Sequence, residues 1–77
     1  RRSDIPELAK HLAGDACRRN GLPVLPLSRN ARRALEAATW PGNIRQLANV
    51  LEAAVIRAVA DGAEQIEGRH LFPDDPP

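Results

Sequence analysis

The chain has 77 residues, 43% of them hydrophobic and 27% charged, with eleven basic against ten acidic side chains and a net charge of +1. That length fits one small domain, the balance is globular rather than disordered, and the bulk charge does not point to nucleic acid. No apolar run approaches the roughly 18–20 residues of a membrane span, and no signal-peptide pattern opens the chain. The single cysteine, Cys17, can make neither an internal disulfide nor a multi-cysteine zinc site, which fits a reducing cytoplasmic setting. Arg1 in place of methionine and the closing Asp-Asp-Pro-Pro read as a piece cut from a longer protein.

In chain order the pattern predicts helices and no strands. Asp4 and Glu7 have capping-box spacing, and Pro6 suits a first helical turn, where its missing N–H is not needed. Ile5, Leu8, Ala9, Leu12 and Ala16 then recur on one helical face. Arg18 and Arg19 sit where cations complement the helix dipole, and Asn20-Gly21 supplies a left-handed stop. Gly14 inside this helix weakens it by about 1 kcal/mol relative to alanine. Leu22 to Leu27, with Pro23 and Pro26, reads as an extended connector whose apolar side chains fold inward. Ser28 is a good N-cap for a second helix, with Ala31, Ala34, Leu35 and Ala38 on its inner face. Arg29, Arg32 and Arg33 fall on the outer face; they invite a DNA-backbone reading, but a solvated helix surface is the simpler one.

Pro41 ends that helix by restricting the residue before it, and Asn43 begins the next, with Gln46 as a box partner. Ile44, Leu47, Ala48, Leu51, Ala54, Val55 and Ala58 trace a long apolar stripe, closed by Asp61-Gly62. Ile66 precedes a short turn around Arg69–Leu71, and Phe72-Pro73 closes over the bundle. Trp40 and Phe72 are the only aromatics, so Trp40 reads as a core anchor and Pro41-Gly42 as the turn that aims the next helix. The expected fold class is all-α, a small bundle of three or four helices.

Arg45 stands out. In the first turn of its helix a cation opposes the positive end of the helix dipole by roughly 0.3–1 kcal/mol, and an acid is the preferred occupant. Free N–H donors at a helix start together with a guanidinium fork suit an anion such as phosphate. An arginine that simply extends into solvent is the equally simple alternative.

The string Trp40-Pro41-Gly42-Asn43-Ile44-Arg45-Gln46-Leu47-Ala48-Asn49 resembles the WPGNVRELEN signature of bacterial sigma-54-dependent transcriptional activators of the NtrC type. More narrowly, it resembles the C-terminal helical lid of their AAA+ ATPase module. Arg1-Arg2-Ser3-Asp4-Ile5 is similar to the R-x-E-D-I segment that leads into that lid, and Leu27-Ser28 through Leu35 to its L-S-x-x-A-x-x-x-L second helix. The match runs in order over nearly the whole chain, giving a lid over residues 1–73 and a tail or linker start at 74–77.

This resemblance implies specific roles. Arg45 matches the sensor II arginine, which reaches ATP phosphates held by the large α/β subdomain of the same ATPase. Ile44 beside it is placed to touch the adenine or ribose side, Asn43 caps the helix or meets the nucleotide, and Arg1 lies near the nucleotide or a subunit interface. Trp40, Pro41 and Gly42 are structural. The cofactor implied is ATP, with magnesium held by the ATPase core; the partners are that core, neighbouring subunits of a ring and, through the parent, sigma-54 RNA polymerase. No direct DNA binding by this segment and no membrane contact are expected. Gln46 and Ala48 stand where the family usually has glutamates, and Ser3 replaces another, so the coupling of lid to core is open to difference.

The chain lacks a G-x-x-x-x-G-K-[ST] phosphate loop and an acid-ended apolar strand for magnesium, so by itself it is expected not to be an enzyme. His11 and His70 have no companion ligand motifs, no metal site is expected, and each reads as a solvent-exposed histidine. Two other classes remain open at this stage. One is a helix-turn-helix DNA-binding module, disfavoured because the third helix offers few side chains suited to base edges. The other is a protein-interaction bundle without a nucleotide role.

Overall fold

The computed structural model describes residues 5–38 and 44–73. Arg1, Asp4 and the stretch Trp40, Pro41, Gly42 and Asn43 lie outside the described residues, as does the tail from 74 onward. Four helices follow in order: α1 (Ile5–Arg19), α2 (Arg29–Ala37), α3 (Ile44–Ala60) and α4 (Gly68–Leu71). The all-α expectation holds, with one addition. Leu27 and Ile66 form an isolated parallel bridge, in which Ser28 N–H donates to the Ile66 carbonyl at 2.9 Å and Ile66 N–H to the Pro26 carbonyl at 2.8 Å.

The two longest helices stop by the same device. Leu22 N–H reaches back to the Cys17 carbonyl and Gly21 N–H to that of Arg18, while Ala63 N–H bonds the Ala58 carbonyl and Gly62 N–H that of Val59. Both are Schellman closures, which need a left-handed residue after the helix. Gly21 (φ 65°) and Gly62 (φ 70°) supply it without the Cβ clash other residues would meet. Ser28 caps α2 as its sequence predicts, accepting the Ala31 N–H at 3.1 Å.

The core is built from small and aliphatic side chains. Ala9, Ala13, Ala16 and Cys17 of α1 meet Leu47, Leu51, Ala54, Val55 and Ala58 of α3, with Ala31 and Leu35 of α2, Leu27, Ile66 and Leu71 completing it. The many alanines let helix axes approach closely, so little space is wasted despite the scarcity of aromatics. Arg19 reinforces the α1–α3 contact through Glu52 at 3.3 Å, and Asn20 donates to the same carboxylate at 3.1 Å. Arg18 pairs with Asp15 at 2.7 Å. These partners account for the terminal arginines of α1 without a ligand.

Three expectations need correction. The 22–27 connector does not fold all its apolar groups inward: Leu27 is buried and Leu22 and Leu25 partly so, but Val24 is 58% exposed, because the prolines hold the segment extended along the surface. Ile44, expected to begin the buried stripe of α3, is 59% exposed, so this end of the helix projects past its neighbours. His70, expected in solvent, is only 2% exposed.

The burial of His70 has a clear cause. Its Nδ1 accepts the Glu67 N–H at 2.9 Å, which leaves the proton on Nε2 to be donated to Asp61 Oδ2 at 3.0 Å. Asp61 also receives Arg69 at 2.7 Å, and Arg57 donates to the His70 carbonyl at 2.7 Å. One imidazole thus caps α4 and fastens it to the end of α3. On the other side of α4, Gly68 N–H donates to Asn30 Oδ1 at 2.6 Å, and Asn30 Nδ2 donates to Glu67 Oε1 at 3.0 Å. A Cβ on Gly68 would lie 3.2 Å from that Asn30 oxygen, so glycine permits the close approach of α2 and α4. Among the described residues no helix is long and apolar enough to cross a membrane.

Four carboxylates are held below their usual range. Hydrogen bonds from His70 and Arg69 lower Asp61, those from Gln65 and Asn30 lower Glu67, Asn20 and Arg19 lower Glu52, and Arg18 lowers Asp15. A carboxylate lowered in the folded state contributes stability that is present above its unfolded pKa and lost as pH falls through its folded one. Thermal unfolding should therefore show a falling midpoint on acidification below about pH 5. Asp61→Asn should flatten that dependence. Replacing His70 with alanine strands a buried N–H and opens a cavity, and denaturant titration should register a loss of about 2–4 kcal/mol. NMR of the ring nitrogens should show the Nε2–H tautomer.

Candidate functional site

The site grows out of α3. Its seventeen residues give a rod about 25 Å long, anchored along one side by Leu47, Leu51, Ala54, Val55 and Ala58. Every anchor lies beyond the first turn, so that turn is held in place from behind while its own side chains face outward. Ile44 and Arg45 are the first two residues of the helix, and both are exposed. The structure therefore brings together two of the residues expected at the site. Arg1 and Asn43, expected beside them, and the Trp40-Pro41-Gly42 turn lie outside the described residues.

The electrostatics of this end are unusual for a helix. No acidic side chain occupies the first turn of α3, and Arg45 makes no hydrogen bond or ion pair among the described residues. By contrast Arg18, Arg19, Arg57 and Arg69 each hold a carboxylate or carbonyl. A guanidinium beside the positive pole of a helix, with no counter-charge bonded to it among the described residues, is a group able to receive an anion. Its fork can grip two phosphate or carboxylate oxygens at once, while the neighbouring Ile44 offers an apolar surface for the uncharged part of such a ligand.

Among the described residues no cluster of three metal-ligating side chains occurs. Buried His70 and exposed Asp61 are engaged with each other in holding α4. Arg57, Asn30 and Glu67 were not singled out by sequence patterning, yet they tie the C-terminal segment to α3 and α2. The spacing from Glu67 to His70, that of an N-cap and its third helical residue, was the available signal.

The position of Arg45 makes a specific stability forecast. Since a cation there works against the dipole, Arg45→Glu should stabilise the isolated chain by about 0.3–1 kcal/mol, read from chemical denaturation at low salt. A loss instead would mean that the arginine serves the fold.

Residues 1–75 match the family model for the AAA+ ATPase lid domain. The chain is similar to the transcriptional regulatory protein GlrR of Escherichia coli (strain K12), 47% identical over 55 residues, covering 71% of this chain and 12% of that protein. It is similar to the Psp operon transcriptional activator of the same organism, 45% identical over 58 residues, covering 74% of this chain and 18% of that protein. Among solved structures, NtrX from Brucella abortus in complex with ADP superposes with a TM-score of 0.78 at 29% identity, over 100% of this chain and 19% of that one. The chain thus spans less than a fifth of the length of these relatives. With the four-helix architecture and the match over 1–75 in agreement, this chain belongs to the AAA+ ATPase lid domain family, in the form carried by sigma-54-dependent activators.

Proposed function

We propose that this lid closes over ATP bound to the large α/β subdomain of its parent ATPase and reports the state of the nucleotide through Arg45. The observation that carries this reading is an exposed arginine, without a partner among the described residues, at the start of a helix whose far side is locked into the core. Such an arrangement presents positive charge outward on a rigid support. That the similar NtrX structure was obtained in complex with ADP supports a nucleotide as the anion. Ile44 lies against the adenine or ribose side, and magnesium belongs to the ATPase core, for which this chain offers no ligand cluster among the described residues. Arg1 and Asn43 complete the contact or the adjacent subunit interface.

The chemistry asked of the lid is electrostatic. As the bond to the terminal phosphate breaks, charge builds on the phosphate oxygens, and a guanidinium already in place stabilises it without reorganisation. Before hydrolysis the same side chain holds the lid shut; once the terminal phosphate leaves, the tie weakens and the helix can swing. Because α3 is anchored to α1 and α4, that movement is shared by the whole bundle. In the parent, repeated closure in a ring of subunits drives remodelling of the sigma-54 RNA polymerase holoenzyme so that promoter DNA opens.

Steady-state kinetics of the full-length parent test the proposal. Arg45→Ala should lower ATP turnover by about tenfold to a thousandfold, the range seen when one charge-stabilising donor is removed. Arg45→Lys should recover only part, since a point charge replaces a fork. Unchanged turnover and unchanged ATP affinity in Arg45→Ala would refute the reading.

A further inference from the structure

The lid has a second group of guanidinia without side-chain partners among the described residues. Of the eight arginines in the described residues, Arg18, Arg19, Arg57 and Arg69 are each bonded within the chain, and Arg45 belongs to the site above. The remaining three, Arg29, Arg32 and Arg33, are all exposed on α2, and none pairs with a carboxylate among the described residues. Their spacing of i, i+3 and i+4 gathers them on one face within about 6 Å of helix rise. They sit in the N-terminal half of α2, whose first turn has no acid. They therefore repel one another and oppose the helix dipole at once. Among the described residues only Glu36, half-buried at i+4 from Arg32 and i+3 from Arg33, lies on the same helix to offset part of that cost, and it forms no ion pair with them, whereas a bound polyanion would offset the rest.

From this we infer that the outer face of α2 rests on the phosphate backbone of duplex DNA, without reading its sequence. The choice between DNA and an acidic protein follows from what surrounds the arginines. The other exposed side chains of α2 are Asn30 and Ala37, so the face carries no aromatic or large aliphatic anchor. Protein interfaces centre on such anchors and are depleted of charge at their middle, whereas phosphate contacts require only positive charge and hydrogen-bond donors. Asn30, which is engaged with Glu67 and Gly68, stiffens the start of the helix rather than reaching a base edge. A net charge of only +1 is no obstacle, because Asp15, Glu52 and Asp61 are paired with Arg18, Arg19 and Arg69 on other elements, which leaves the α2 arginines outside those pairs. This surface is independent of the nucleotide reading of Arg45 and would stand if that reading failed.

The test uses the 77-residue chain and a fluorescein-labelled duplex of unrelated sequence, followed by fluorescence anisotropy over a series of potassium chloride concentrations. Three phosphate contacts predict a slope of log K against log salt of about −2.7, or binding about 80-fold weaker at 100 than at 20 mM. The triple variant Arg29→Gln, Arg32→Gln, Arg33→Gln should bring the slope close to zero and weaken binding at 20 mM by at least about tenfold. It should also unfold at a higher temperature than the parent sequence, which shows that lost binding is not lost folding. A labelled polyglutamate peptide should bind more weakly than the duplex at every salt concentration. Equal or tighter binding of that peptide would overturn the assignment in favour of an acidic protein. An unchanged slope in the triple variant, or no detectable binding of the duplex at 20 mM salt, would overturn it outright.

Discussion

The architecture depends on the burial of one face of α3. Leu47, Leu51, Ala54, Val55 and Ala58 are buried where α3 meets α1 and α4, and Leu51, Ala54, Val55 and Ala58 have no solvent exposure at all. A 77-residue domain has about 4–11 kcal/mol of stability to draw on, and truncating one buried leucine to alanine costs about 2–5 kcal/mol. That stripe accordingly fixes both whether the chain folds and where the first turn of α3 points. Arg45 inherits its direction from residues that never touch a ligand.

Around this axis the short elements act as fasteners. The Leu27–Ile66 bridge joins the connector before α2 to the segment before α4, and Asn30, Glu67 and Gly68 continue the same seam. His70 closes the other side through Asp61 at the end of α3. Four residues of helix cannot hold themselves together in water, so α4 exists because these side-chain and backbone bonds satisfy its ends. The outcome is a bundle in which α4 is bonded to both α2 and the end of α3, a connection through which displacement at one helix can be felt at the others.

Much of this was legible in the sequence because it depends on local chemistry. Ser28, Gly21 and Gly62 act where their residue types dictate, and the helical period located the core faces of α1 and α3. Arg45 was conspicuous because it contradicts the preference for an acid at a helix start, and the WPGNIR string named the family that the comparison over residues 1–75 supports. What escaped depends on tertiary contacts. Periodicity put Ile44 on the buried stripe, but it cannot tell where a helix outruns the elements that cover it. His70 looked like any surface histidine, since its acceptor Asp61 lies nine residues earlier, across a turn whose path only the fold supplies. Likewise, the outer arginines of α2 gained meaning only when every other described arginine but Arg45 proved to be partnered.

The central claim is that Arg45 is a phosphate ligand donated by one lobe to a nucleotide held by another. A crystal structure of the intact parent with a non-hydrolysable ATP analogue addresses it most directly. The account predicts at least one guanidinium nitrogen of Arg45 about 2.7–2.9 Å from a phosphate oxygen, with α3 displaced in the nucleotide-free form. A side chain directed into bulk solvent in both forms would contradict it.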